Sequence, residues 1–143
     1  MFIGEYKYNL DIKNRLALPT KFRKLFDQGV VITKGLDNCL FIYTAKEWQK
    51  LAEKLANLPF SQAKSRAFSR LMLAGAMDVR VDKQGRVILP DYLKSFAGLH
   101  KKIVLAGLYN RLEIWDEKMW FKYQKNSEKD SIEIAEGLSD LGI

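Results

Sequence analysis

The phrase DIKNRLALP at residues 11–19 returns as DKQGRVILP at residues 82–90. An offset of 71 carries Asp11 onto Asp82, Arg15 onto Arg86 and Pro19 onto Pro90, and upstream it carries Tyr6, Tyr8 and Leu10 onto Met77, Val79 and Val81. With one residue inserted the offset becomes 72, and VITKGLDNCLFIYTAKEW (31–48) aligns with IVLAGLYNRLEIWDEKMW (103–120). Gly35 then meets Gly107, Leu36 meets Leu108, Asn38 meets Asn110 and Trp48 meets Trp120. Matches this numerous, in order and with a single gap, mark a tandem duplication. The fold must therefore be assembled from two copies of one small unit.

Each copy reads as strands with turns between them. Tyr6/Tyr8/Leu10 and Met77/Val79/Val81 alternate with polar residues, the period-2 pattern of a half-buried strand. Such a strand runs into Asp-x-x-x-Arg and a second leaves it, so each phrase reads as a hairpin or tight loop. Asn14 and Gly85, just before each Arg, tolerate a positive φ. The Asp can accept hydrogen bonds from backbone N–H groups about two residues on. Pro19 and Pro90 end the second strand and can open the short amphipathic helices suggested by TKFRKLF (20–26) and DYLKSFAG (91–98). Two further strands turn near Asp37-Asn38 and near Tyr109-Asn110.

A helical connector separates the copies. Thr44 and Glu47 have capping-box spacing, with Trp48, Leu51, Leu55 and Leu58 at helical steps until Pro59 breaks the run. Residues 61–75 read as a second helix, with Phe68, Leu71 and Met72 on one face and Gly75 as its C-cap. The expected division is repeat 1 over 1–48, connector over 49–75, repeat 2 over 76–122 and an acidic tail over 123–143. The tail's Ile132, Ile134, Leu138 and Leu141 either dock or leave the segment disordered.

At 143 residues and 48% hydrophobic content, the chain can bury one core or two small ones. No apolar run approaches the length of a membrane span, and MFIGEYKYN does not begin like a secretory signal. The expectation is a cytoplasmic protein without a membrane partner. Cys39 is the only cysteine, so neither an intrachain disulfide nor a multi-cysteine metal cluster can form, and its apolar setting suggests an inert buried thiol. Net charge is +7; residues 126–143 carry −4 of it, leaving +11 on the remainder. Such a balance favours an anionic partner.

Enzyme chemistry finds little to stand on. His100, in GLHKK, is the only histidine and reads as a surface loop residue, and no phosphate loop, zinc-ligand spacing or nucleophile elbow occurs. Asp11 and Asp82 could pair as carboxylates on the axis relating the repeats, yet each already has a structural task in its turn. No metal, cofactor or small-molecule substrate is expected.

Nucleic-acid binding accounts for more. Neighbours alternate along a strand, so Arg15 and Arg86 point away from the side carrying Leu16/Leu18 and Val87/Leu89. Lys7, Lys13, Lys21, Arg23 and Lys24 accompany the first loop; Arg80, Lys83 and Lys94 accompany the second. Arginine can make paired bonds to guanine O6 and N7, whereas lysines mainly neutralise phosphate. Intramolecular Asp11–Arg15 and Asp82–Arg86 pairs that merely brace the loops are the competing explanation, and both can hold together. An oligomeric protein-interaction or antitoxin-like module whose basic face meets an acidic protein is the alternative function. RNA binding is disfavoured because the Tyr and Trp residues fall on core-facing positions.

The doubled phrases D-x-x-x-R-[LV]-x-[LI]-P and G-L-x-N-x-L-x-I-[YW], each followed by a trailing Trp, resemble both halves of the MraZ family of bacterial transcriptional regulators, over Met1 to about Lys122. That resemblance implies an α+β fold of two tandem AbrB-like units (swapped-hairpin, double-split β), joined as a pseudo-dimeric barrel in one chain. It implies a ring-like homo-oligomer on direct repeats in double-stranded DNA, typically the promoter of the protein's own division and cell-wall gene cluster, and a nucleoid location. The family's DNA-contact region maps onto Lys13, Asn14 and Arg15, and onto Lys83, Gln84, Gly85 and Arg86. Lys7, Lys21, Arg23, Lys24, Arg80 and Lys94 are candidate phosphate contacts. Asn14 stands where the family often has glycine, and Lys94 where its second copy often has arginine.

Overall fold

In the computed structural model, which describes all 143 residues, eight strands form two sheets. They are β1 (Phe2–Asn9), β2 (Arg15–Ala17), β3 (Val30–Lys34), β4 (Leu40–Thr44), β5 (Met77–Val79), β6 (Arg86–Ile88), β7 (Lys102–Tyr109) and β8 (Leu112–Asp116). Six make an antiparallel sheet in the order β1-β7-β8-β4-β3-β5, and β2 pairs with β6 in a separate ribbon. The helices are α1 (Ala45–Ala56), α2 (Ala63–Ser69), α3 (Asp91–Phe96), α4 (Glu117–Lys129) and α5 (Ser131–Gly137), with a 3-10 segment at Thr20–Phe26.

The two copies exchange strands. β1, from the first copy, lies on β7 of the second, while β5, from the second, lies on β3 of the first. At the centre Phe41 faces its own repeat mate Glu113, flanked by Leu40↔Ile114 and Ile42↔Leu112. In the ribbon Leu16 faces its mate Val87, flanked by Arg15↔Ile88 and Ala17↔Arg86. A pseudo-twofold axis thus passes through both sheets.

That symmetry corrects one sequence equivalence. Ile32 pairs with Ile42, and Leu105 pairs with Ile114, the mate of Ile42. Ile32 therefore corresponds to Leu105, not to Val104 as the ungapped match of 31–48 with 103–120 has it. The reason is a longer first connection. Gly35 N bonds Cys39 O across Leu36, Asp37 and Asn38, whereas Leu108 N bonds Arg111 O across Tyr109 and Asn110 alone. A slip of one residue would have put every β3 side chain on the wrong face. With the slip included, Tyr8↔Ile103 and Val79↔Val30 become equivalent pairs and the symmetry closes.

Two further expectations change. Neither Asp-x-x-x-Arg phrase is a hairpin, because the strands on either side of it do not pair: β1 is taken by β7 and β2 by β6. Nor does hydrogen bonding close the sheet into a barrel; β1 and β5 are its edges. The ribbon instead lies across one face, burying Leu16, Leu18, Val87 and Leu89 against Ile32, Ile42, Leu105 and Ile114. On the other face Cys39, Phe41, Tyr43 and Trp115 pack with Leu55 and Met72. β4 and β8 are buried on both faces, which explains their near-continuous apolar runs.

The helices follow local rules. Thr44 Oγ1 accepts from Glu47 N at 3.1 Å and starts α1, as the capping-box spacing predicts. The expected helix over 61–75 is α2 followed by a π turn at Arg70–Ala74, fixed by Thr33 Oγ1 donating to Met72 O at 2.7 Å. Gly75 ends it because a Cβ there would meet Leu71 O at 2.3 Å, not through a left-handed φ. The acidic tail is helical, continuing α4 into α5, with its side chains exposed from Glu128 onwards.

Candidate nucleic-acid interface

Both Asp-x-x-x-Arg loops are locked by the same bonds. Asp11 Oδ1 accepts from the amides of Lys13 (2.9 Å) and Arg15 (2.8 Å), and Asp82 Oδ1 accepts from those of Gln84 and Arg86 (both 2.9 Å). The second carboxylate oxygen takes Nε of the loop's own arginine, Arg15 or Arg86. Backbone bonds Asn14 N→Asp11 O and Gly85 N→Asp82 O complete each turn, with φ of 58° at Asn14 and 77° at Gly85. The Arg15 amide, then the Arg15 side chain and the Lys13 amide, hold the Asp11 carboxyl below the ordinary carboxylate range. The Arg86 amide, then the Gln84 amide and the Arg86 side chain, do the same for Asp82. Carboxylates kept ionised and saturated with donors orient arginines; they are not poised to act as acids or bases.

Because β2 and β6 pair antiparallel, the loops sit at opposite ends of one ribbon, with Arg15 and Arg86 as diagonal neighbours between them. The ladder extends through Leu18 N→Gly85 O and Leu89 N→Asn14 O, and Arg86 Nη1 comes within 4.0 Å of Asp11 Oδ2. Arg15, Ala17, Arg86 and Ile88 form the outer row of the ribbon, opposite its buried leucines and valine. Each loop is also braced by the other copy. Arg23, held by Nε donating to Leu18 O, packs where a Cβ on Gly85 would sit, at 2.2 Å from its Nε. Lys94, the mate of Arg23, donates to Asn14 Oδ1 at 2.9 Å, and Asn14 Nδ2 donates to Asp91 Oδ1 at 2.9 Å.

The sequence-derived site residues separate accordingly. Lys13, Lys83 and Gln84 are exposed at the loop tips, Asn14, Arg15 and Arg86 are half-buried, and Gly85 is buried beneath Arg23. Among the candidate phosphate contacts, Arg23 and Lys94 lie at the loops but are engaged within the chain. Lys7 is on the helix-bearing side of the sheet, its Nζ 4.9 Å from the Phe121 ring centre. Lys24 lines a groove with Met1, Phe2 and Tyr109, at the end of β1 away from the first loop. Lys21 rests over the Tyr6 and Phe22 rings, and Arg80 is exposed beside β5. Reading the sequence missed Asp91 and the bracing by Arg23 and Lys94. The signal was available: the Arg23/Lys94 pair differs between copies together with the Gly85/Asn14 pair it covers.

Elsewhere the chemistry is quiet. Burial pushes the Cys39 thiol well above its ordinary range. His100 is exposed, and its Nδ1 lies 3.0 Å from Asp116 Oδ1. Tyr109 lies at the expected turn, but the expectation that the Tyr residues face the core fails for Tyr92, Tyr109 and Tyr123, all of them exposed. No helix is long and apolar enough to cross a membrane.

Both loops with their braces recur in two consecutive sequence units, and those units match one known family twice. Residues 1–71 and 72–141 each match the family described as "MraZ protein, putative antitoxin-like". The chain belongs to the MraZ family. It is 45% identical to the transcriptional regulator MraZ of Natranaerobius thermophilus and 45% identical to that of Halothermothrix orenii, over the full length of both chains in each case. The transcriptional regulator MraZ of Caldicellulosiruptor bescii is 46% identical over the same span. These MraZ relatives are named as regulators, not as enzymes.

Proposed function

We propose that the chain is a sequence-specific, DNA-binding transcriptional regulator that reads base edges with Arg15 and Arg86. The observation that carries this reading is the pair of Asp-clamped arginines set side by side on the outer row of the β2–β6 ribbon. A two-stranded ribbon fits a major groove, and Arg15, held at Nε alone, keeps both terminal nitrogens for guanine O6 and N7, whereas Arg86 must give up its Gln84 contact to do the same. The names of its MraZ relatives support the regulatory role. On this reading the exchanged strands make one chain a pseudo-dimer of AbrB-like units. Several chains form a ring-like oligomer in the cytoplasm, associated with the nucleoid. Their loops engage successive direct repeats before the protein's own division and cell-wall gene cluster. Simultaneous engagement raises effective concentration, so weak single contacts suffice.

Fluorescence anisotropy with the DNA that precedes the protein's own coding sequence tests the proposal. Arg15→Ala is expected to weaken specific binding by about 1–3 kcal/mol, roughly fivefold to 150-fold. Lys21→Ala should lower the salt slope by about one without changing discrimination. Unchanged specific affinity in both Arg15→Ala and Arg86→Ala overturns the reading and leaves the protein-interaction alternative.

A further inference from the structure

The pseudo-twofold symmetry fails most clearly beside the first loop. From Phe26 to Val30 the first copy needs only Asp27, Gln28 and Gly29; from Ala97 to Ile103 the second uses Gly98–Lys102, which is two residues longer. The longer segment carries His100, Lys101 and Lys102, where the shorter one has no cation. It also reaches further along β1: Asn9 pairs with Lys102, and Leu10 N donates to Lys101 O at 2.8 Å, one residue before Asp11. By contrast, the equivalent ladder beside the second loop ends at Val79↔Val30.

The segment is held in place. Asp116, whose side chain is only 6% exposed, accepts from the His100 amide at 3.2 Å and lies 3.0 Å from its Nδ1. Beside it runs a groove of about 710 Å3 whose walls include Ile12, Asn14, Lys94, His100 and Lys101. Through His100 and Lys101 it continues into a second groove of about 500 Å3, reaching Lys102 and Lys118. Asp11 and Asp116 also line these grooves, but each already has a partner, Arg15 and His100 respectively; Glu117 is the one acid there without a bonded cation. Lys101, Lys102 and Lys118 are exposed and outnumber it.

We propose that this groove, from the first loop past His100 and Lys101 to Lys102 and Lys118, binds the sugar-phosphate backbone of the duplex whose bases Arg15 reads. The proposal rests on the DNA-binding reading above and adds to it a one-sided backbone contact. Lysine supplies phosphate neutralisation without base information, so the groove strengthens binding at the first loop and leaves discrimination to the arginines. The equivalent groove beside the second loop, lined by Gln28, Gly29 and Ala45, holds a single cation, Arg80, with Asp78 beside it, so the lysine-rich groove gives the chain a direction on DNA.

The test measures salt dependence of binding to a fluorescein-labelled duplex of the DNA preceding the coding sequence, and to one of shuffled sequence. Lys101→Gln with Lys102→Gln should lower the slope of log Kobs against log salt by about two, and Lys118→Gln by about one, on both duplexes. The ratio of specific to non-specific affinity should stay the same. Lys46→Gln, at the repeat mate of Lys118, is the control and should leave the slope unchanged. An unchanged slope in the Lys101/Lys102 variant, or an equal fall with Lys46→Gln, overturns the groove. If Arg15→Ala still abolishes discrimination in that experiment, the functional reading survives; if neither Arg15→Ala nor Arg86→Ala affects it, that reading fails first.

Discussion

The two loops reach one backbone shape by different chemistry. In the first, Asn14 adopts φ of 58° and its side chain is tied to Asp91 and Lys94. In the second, Gly85 adopts φ of 77° with no side chain, and Arg23 fills the space. The arginines differ too. Arg15 bonds Asp11 through Nε alone, leaving both terminal nitrogens without a partner in the chain. Arg86 bonds Asp82 through Nε, gives Nη2 to Gln84 Oε1 and turns Nη1 towards Asp11. The first loop therefore offers a free guanidinium fork and an almost fully exposed Ile12 at its tip, while the second offers an arginine already partly engaged.

The largest effect should come from removing what joins the loops. Leu16→Ala empties the centre of the ribbon, where Leu16 is fully buried against Val87, and should cost about 2–5 kcal/mol in denaturant unfolding. Retained stability would show that the loops are held independently of the ribbon. Next, Arg15→Ala should reduce specific DNA affinity by about tenfold more than Arg86→Ala, since one freely available bidentate contact is worth about 1–3 kcal/mol; equal losses break the ranking of the loops.

Gly85→Ala should destabilise by about 1–2 kcal/mol, because alanine is strained at this φ and its Cβ displaces Arg23. Asn14→Gly should change stability less, the eased φ offsetting two lost side-chain bonds; thermal unfolding of both variants compares them. Acid gives the gentlest comparison. Folded-state pKa values of Asp11 and Asp82 lie below the unfolded value of about 3.9. Their contribution is therefore fully present above that value and is lost as pH falls through the lower folded values. Amide exchange at Lys13, Arg15, Gln84 and Arg86 should stay protected at pH 5 and quicken only below the ordinary carboxylate range.

Much of this was legible in the sequence because it is local. The Asp turn, the positive φ at Asn14 and Gly85, and the Thr44 cap each depend on residues within a few positions of one another. What was not legible depends on partners far along the chain. The apolar run at β3 tolerates either register, so only its pairing with β4 and β5 reveals the slip that matches Ile32 with Leu105. The pattern of Leu16 and Leu18 announces a strand but not that its partner is β6, which makes each phrase the tight loop rather than the hairpin and joins the two in one shared ribbon. The lysines beside the first loop in sequence were grouped by proximity along the chain, whereas β1 sends Lys7 to the opposite side of the sheet from Tyr6 and Tyr8.

Strand exchange also sets an order of events during synthesis. β1 leaves the ribosome first, yet its partner β7 begins only at Lys102, and Phe2 waits for Tyr109. At about 5–20 residues per second, that interval is about 5–20 s. Throughout it the edge of β1 that pairs with β7 has no strand of its own chain to cover it. Long-range pairing of this kind slows folding and leaves unpaired edges open to neighbours. A chain halted after residue 71 carries only the first copy, and the surface best shaped to complete it belongs to another such half.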